Sequence, residues 1–306
     1  MMAYLFRRLA GAALVLITLV VAAFFATHYI GDPAFLLVDR EFLSEAERQE
    51  IIEQGGFNRP VLDQLADYLA STIRGDFGTS IWQNRPAAAV VLERVPRTAL
   101  LGAASLALTF LVAIPAALIA ASRPAGPARA AITTAATALA SLPAFWLALG
   151  LVYLVAVEWR LLPTGGYGSW RHLVLPAIAL AAGPIGRYTL ILESAVARDL
   201  RQHYVRTARA KGLPESAVLV RHLLPNAAII GLTLLGGELI ILLNGTVLIE
   251  TIFSWPGVGE VAYSAVTRRD LPVLMAAVIY VAAIVLLVNL LVDLAYTVVD
   301  PRVRLQ

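Results

Sequence analysis

Glu238, Asn244 and Asp293 interrupt stretches that are otherwise apolar, so each needs a chemical or a packing reason to be there. Glu238 stands in the middle of the run from His222 to Ile249, where an ionisable group costs at least about 2.5 kcal/mol unless solvated or paired. It is a candidate for a polar group on a substrate path, meeting an amine or a metal cation. The alternative is a structural partner for Arg187. Asn244 poses the same choice, with interhelical hydrogen bonding as its packing reading. Asp293 lies near the end of its run, which suits an interfacial anchor. The four histidines, His28, His172, His203 and His222, suggest metal ligation only weakly. His28 has Asp32 and His203 has Asp199 at a spacing of four, but each pair lacks the third and fourth ligands that a site requires. No metal site is expected. No GxSxG or HExxH occurs, and the sole lysine, Lys211, sits in RAKGL rather than in GxxxxGK[ST]. Neither an intramembrane hydrolase nor a chain that binds ATP through its own phosphate loop fits.

The elements that carry these residues follow from composition. Of 306 residues 59% are hydrophobic and 15% charged, against about 25% charged in a soluble domain. That excludes a nucleic-acid-binding module, a disordered chain and an ordinary cytosolic enzyme. There is no cysteine, so disulfides and thiolate metal sites are excluded as well. Uncharged runs at Leu9–Ile30, Thr98–Ser122 and Ala130–Val157 exceed the roughly 20 residues that a spanning helix needs. Leu271–Val299 is broken only by Asp293, and His222–Ile249 only by Glu238. The stretch from His172 to about Ala197 contains Pro176, Pro184, Arg187 and Glu193, so its second half is expected to continue as a helix beyond the bilayer. This gives six spans, or five if that stretch does not cross. Arg7 and Arg8 precede the first run, but Thr27-His28-Tyr29 is not a small-residue cleavage site, so a retained helix is expected.

The basic residues fix an orientation. Arg7, Arg8, Arg123, Arg129, the seven bases from Arg187 to Arg221, and Arg302 with Arg304 fall on one side, which the positive-inside rule makes cytoplasmic. Both termini then lie inside. Gly31–Arg97 carries eleven acids and seven bases and suits the outer side, with Ser44-Glu45-Ala46-Glu47 resembling a helix start. The chain divides into residues 1–97, a first span with a small helical extracytoplasmic segment, and residues 98–306, a five-helix core.

Between spans four and five lies Asp199–Asn226, DLRQHYVRTARAKGLPESAVLVRHLLPN. On a helical projection Leu200, Tyr204, Ala208 and Lys211 share one side, with Gln202, Arg206 and Arg209 opposite. Asp199 suits an N-cap and Gly212 the left-handed residue that ends the helix. Pro214 and Glu215 suit the start of a second helix running through Arg221 toward Pro225. Taken alone, the segment is equally a basic loop on anionic headgroups.

YVRTARAKGL followed by RHLLPNA resembles the cytoplasmic coupling loop of ABC-transporter permeases, specifically the dipeptide/oligopeptide/nickel import family. Gly212 and Leu224-Pro225 occupy that loop's glycine and Leu-Pro positions; Arg206-Thr207-Ala208 has the form of the peptide/nickel branch, whereas Pro225 departs toward the wider superfamily. Further segments are similar in the same order: YLFRRL (Tyr4–Leu9), GDFGTS (Gly75–Ser80), SLPAFWLAL (Ser141–Leu149), LPTGGYGSWRHLVLPA (Leu162–Ala177), ETIFSWPGVG (Glu250–Gly259), RRDLPV (Arg268–Val273) and NLLVDLAYTVVDPRVR (Asn289–Arg304).

The resemblance implies an all-α, six-span type I ABC importer permease of the bacterial inner membrane, itself non-catalytic. Its implied partners are a second homologous permease, two ATPase subunits that hold ATP and Mg²⁺, an extracytoplasmic solute-binding protein and lipid. It implies ATPase docking by Tyr204, Arg206, Thr207, Ala208, Arg209, Gly212, Leu224 and Pro225, near residues 199–225. It also implies a scoop-like outer turn at Trp255-Pro256-Gly257, where irregular backbone needs a covered or water-lined setting. Short peptides are the expected cargo, nickel or a nickel chelate the alternative, and a channel subunit a more distant one.

Overall fold

The computed structural model describes residues 2–30, 59–123, 126–223 and 246–299. Among these the regular structure is helical, with one isolated bridge between Thr79 and Pro86. The helices are α1 (Met2–Ile30), α2 (Val61–Ile73), α3 (Ala87–Leu92), α4 (Val95–Ser122), α5 (Pro127–Ser141) and α6 (Ala144–Leu151), which continues as a π-helical stretch, Val152–Glu158. There follow α7 (Trp170–Asp199), α8 (His203–Ala210), α9 (Glu215–Val218, extended by π-helical Leu219–Leu223), α10 (Val258–Thr267) and α11 (Leu271–Val299). A further helical segment occupies 246–252.

Contacts group the chain into two units. The first comprises Met1–Arg97 and Pro256–Leu290, the second Thr98–Trp255 and Leu291–Gln306. Val20, Val90, Val91, Val258, Ala276 and Ala277 build the core of the first unit, with Phe24 against Tyr68 and Phe77 against Tyr280. The Asp270 carboxylate, buried, accepts the Ser80 hydroxyl at 2.6 Å and the Ile81 N–H at 3.3 Å. The Trp82 indole donates to the Arg268 carbonyl at 2.8 Å. GDFGTS and RRDLPV, far apart in sequence, are thus tied by polar contacts that a buried carboxylate requires.

The second unit is organised by α7. This 30-residue helix tolerates Pro176 and Pro184 and carries buried side chains along most of its length, from Leu175 to Val196. Gly186 explains how α5 comes so near: a Cβ there would lie 2.3 Å from the Ala136 carbonyl oxygen and 2.5 Å from the Ala140 nitrogen.

Two expectations need correction. The run Ala130–Val157 is not one straight helix, because α5 and α6 meet at a bend of 100°. Leu142, before Pro143, is extended (φ −78°, ψ 126°), as steric clash with the proline ring demands, and Pro143 has no N–H to continue the ladder. Among the described residues three helices are long and apolar enough to cross a membrane, and the bent pair makes a fourth if counted as one span. Most of His222–Ile249 lies outside the described residues, and α1 contributes a shorter apolar helix, Ala10–Phe25. The second correction concerns Asp199. It is the last residue of α7 and not the N-cap of the next helix; Gln202 takes that place, with extended backbone and no side-chain cap.

Candidate coupling site

The chain leaves α7 through a tight turn in which Leu200 N–H bonds to Val196 O and Gln202 N–H to Asp199 O. It re-enters a helix at His203. On α8, Val205 and Ala208 are buried against Tyr188, Leu192 and Val196 of α7 and Ala113, Ala117 and Ala121 of α4. Leu200 and Leu213 pack at the edge of the same cluster. The inward face is therefore Val205 and Ala208. Tyr204 and Lys211, read from the sequence as sharing Ala208's side, are exposed. Arg206, Thr207 and Arg209 are exposed too, and Thr207 returns its hydroxyl to the His203 carbonyl at 3.0 Å. Arg201, Arg206, Arg209 and Lys211 thus give the outward surface a concentrated positive charge.

The end of α8 is a Schellman turn. Gly212 has φ +79° and its N–H bonds to Arg209 O at 2.9 Å, while Leu213 N–H reaches back to Ala208 O at 3.3 Å. Burial of Ala208 beside Leu213 supplies the apolar contact that accompanies this motif. The Pro214 carbonyl then accepts the N–H groups of Ala217 and Val218, starting α9, and Val218 and Leu223 are fully buried. The element is a short cationic helix clipped to the bundle at both ends. Leu224, Pro225, Glu238 and Asn244 lie outside the described residues.

Sequence reasoning missed an ion pair just behind this element. Arg129 Nε, at the start of α5, donates to Glu193 Oε1 on α7 at 2.9 Å, with the Glu193 side chain only 7% exposed. Glu193 follows Leu192 and precedes Val196, both in the cluster that receives α8. An acid in the apolar helix α7 and an arginine opening α5 were the available signals.

At the other end of α7 the LPTGGYGSW and ETIFSWPGVG segments interlock. Gly166 N–H bonds to Phe253 O at 2.7 Å, and a Cβ on Gly165 would lie 2.2 Å from that same oxygen. Trp255 is buried and stands edge-on to Tyr167, with ring centroids 5.0 Å apart. Glu250, fully buried, accepts the Thr98 hydroxyl at 2.7 Å. Pro256 is half-buried, and buried Gly257 is the N-cap of α10.

The sequence profile described as "Binding-protein-dependent transport system inner membrane component" matches residues 113–305. The chain is 34% identical over 316 residues to the oligopeptide transport system permease protein AppB of Bacillus subtilis (strain 168), covering 99% of this chain and 100% of that one. It is also 34% identical over 307 residues to the glutathione transport system permease protein GsiC of Escherichia coli (strain K12), covering 99% of each. Among solved structures, the inward-facing MetNI methionine ABC transporter in its CY5 native crystal form matches with a TM-score of 0.55 at 17% identity, over 69% of this chain and 96% of that one. That likeness identifies a type I ABC importer permease fold.

Proposed function

The chain belongs to the binding-protein-dependent transport system inner membrane components, and from that membership we propose that it is a permease subunit of an ATP-driven importer of short peptides. Full-length relatives named for oligopeptides and for glutathione, itself a tripeptide, favour peptides over nickel. In this reading the chain is non-catalytic and forms half of the translocation path with a second, homologous permease. Two ATPase subunits, which bind ATP and Mg²⁺, drive it, and an extracytoplasmic binding protein delivers cargo. It lies in the bacterial inner membrane with both termini in the cytoplasm; labelling of a Pro127→Cys variant by an impermeant reagent in intact spheroplasts would refute that orientation.

The observation that carries the proposal is the cationic helix α8, held by Val205 and Ala208 against α7 and α4. Arg206, Thr207 and Arg209 face outward to an acidic groove on an ATPase, with Tyr204 beside them. Ala208 acts by letting backbones approach, and Gly212, with Leu224 and Pro225 beyond, sets the direction of the return helix. Closure of the ATPases displaces α8, and its packing against α7 transmits that motion as a rigid-body rocking of the bundle. Glu238 and Asn244 are proposed to line the path, and Trp255-Pro256-Gly257 to shape its outer end. Glu238→Gln then lowers transport with assembly and basal ATPase intact; normal transport would remove Glu238 from the path.

The decisive experiment is co-purification of the ATPase subunits with Gly212→Val and Arg206→Glu variants, alongside peptide uptake in vesicles. Uptake should fall while membrane insertion survives. Parental ATPase retention and parental uptake in both variants would make α8 a mere surface contact.

A further inference from the structure

We infer that the loop between α6 and α7 is a binding site for the phosphate of an anionic phospholipid headgroup. A cavity of about 510 Å³ there is lined by Arg160, Leu161, Thr164, Ser169, Arg171 and His172. Two arginines, a histidine and two hydroxyl-bearing residues thus line one open depression beside Ala156, Leu162 and Pro163, and its lining contains no carboxylate. Glu158, the nearest acid along the chain, is exposed and forms no ion pair with Arg160 among the described residues.

The walls are built rather than incidental. Arg171 Nη2 donates to the Leu161 carbonyl at 2.7 Å, clamping the first turn of α7 to the loop. The Ser169 hydroxyl and His172 Nδ1 lie 2.9 Å apart. Arg160 has φ +52°, an uncommon conformation for a residue with a Cβ. It is held there by bonds on either side, from Trp159 N–H to Leu154 O and from Leu161 N–H to Val155 O, both at 3.0 Å.

The surroundings decide which oxyanion fits. The loop joins the ends of two apolar helical segments, and both flanks carry exposed aromatic residues: Tyr153 and Trp159 before it, Tyr167 and Trp170 at its far end. Tryptophan and tyrosine collect at the headgroup level of a bilayer. One turn back along the π-helical stretch, Leu154 and Val157 are exposed and apolar. A polar cavity, exposed aromatic residues and exposed apolar side chains thus occur together, the three chemistries that a phosphate, the headgroup interface and an acyl chain call for. A dissolved carboxylate, such as a peptide C-terminus, would use the cavity alone and leave the rest unexplained. The site lies at the opposite end of α7 from the coupling helix, about 45 Å along the axis for its 30 residues.

The test uses the complete transporter. After delipidation in detergent it is titrated with phosphatidylglycerol or phosphatidylcholine, and bound lipid is counted by native mass spectrometry. A photoactivatable phosphatidylglycerol should label residues 159–172 of the parental protein. Replacing both guanidiniums (Arg160→Gln with Arg171→Gln) should reduce the preference for phosphatidylglycerol about tenfold or more, whereas Arg74→Gln, an exposed arginine elsewhere, should leave it unchanged. Parental lipid preference in the double variant, or photolabel absent from this loop, overturns the assignment. Protection of the loop by a short peptide but not by its C-terminally amidated form, with no lipid effect, assigns the cavity to peptide carboxylates and overturns it too. The photolabel decides the matter even if the double variant does not assemble.

Discussion

Gly212, in the turn that ends α8, and Gly165, in the turn that precedes α7, both need to be glycine, yet different physics requires it at each. Gly212 has a left-handed backbone with nothing within 4 Å of where a Cβ would stand. Its requirement is conformational and local. Gly165 has no such backbone, but a Cβ there would lie 2.2 Å from Phe253 O and 2.7 Å from Phe253 C. Its requirement is steric and comes from a segment some ninety residues away. Local requirements leave a signature in the sequence; long-range ones do not.

The largest expected effect tests that distinction. A Cβ has no rotamer by which to escape, so Gly165→Ala must part the two strands of backbone and break the Gly166–Phe253 bond. Overpacking of this kind costs about 1–3 kcal/mol, and a contact with backbone atoms belongs at the upper end. Gly186→Ala, against Ala136 O, should behave alike. Gly212→Ala should cost only about 1 kcal/mol, since the space is empty. Yield and thermal unfolding of the purified complex would compare them. Equal losses at Gly165 and Gly212 would erase the difference between the two turns.

The same division governs how much was legible. RTARAKGL displays its helix, its glycine stop and its charged face within a dozen residues, so α8, the Gly212 turn and the start of α9 were readable. Leu200, Tyr204, Ala208 and Lys211 do not form one face of a single helix, because α7 ends at Asp199 and α8 begins only at His203. The break at Pro143 was visible as a residue but hidden by the hydrophobicity around it: apolar length says that a segment prefers lipid, not that it is straight. The Ser80–Asp270 and Thr98–Glu250 contacts join partners more than 150 residues apart, and a single sequence carries no local trace of such pairings.

An intermediate effect is expected at Arg129 and Glu193, where the partners differ in exposure. Arg129→Ala would strand a carboxylate that is 7% exposed. Breaking a fully buried pair costs about 3–5 kcal/mol; with Arg129 43% exposed, solvent screens the interaction, so about 1–3 kcal/mol is expected. Glu193→Gln keeps an acceptor in place and should cost less. Glu193→Leu combined with Arg129→Ala should recover part of the loss, because no orphaned charge remains. A double variant less stable than Arg129→Ala alone would show that the pair contributes net stability, in place of a penalty incurred only when it is broken.

The smallest effect is expected at Arg85 and Glu93, an ion pair with the opposite setting. Their side chains are 47% and 54% exposed, so water competes for both charges and salt screens them. The loop does not depend on the pair, because Arg85 holds it through the backbone, its carbonyl accepting the Ser80 N–H at 2.8 Å. The hydrogen bond to the Glu93 carboxylate raises the Arg85 pKa above its ordinary value. A raised basic pKa contributes stability that is fully present below the unfolded value and is lost only as pH rises through the folded one. Arginine is charged throughout the physiological range in both states, and the lowered Glu93 carboxyl contributes stability that is lost only as pH falls into the acid range, so the pair adds no slope between about pH 6 and 8. Arg85→Gln should therefore leave the unfolding temperature, its salt dependence and its pH dependence unchanged, in contrast to Arg129→Ala. A drop at Arg85 comparable to that at Arg129 would mean that exposure does not separate the two pairs, and that the outer loop owes its shape to this charge.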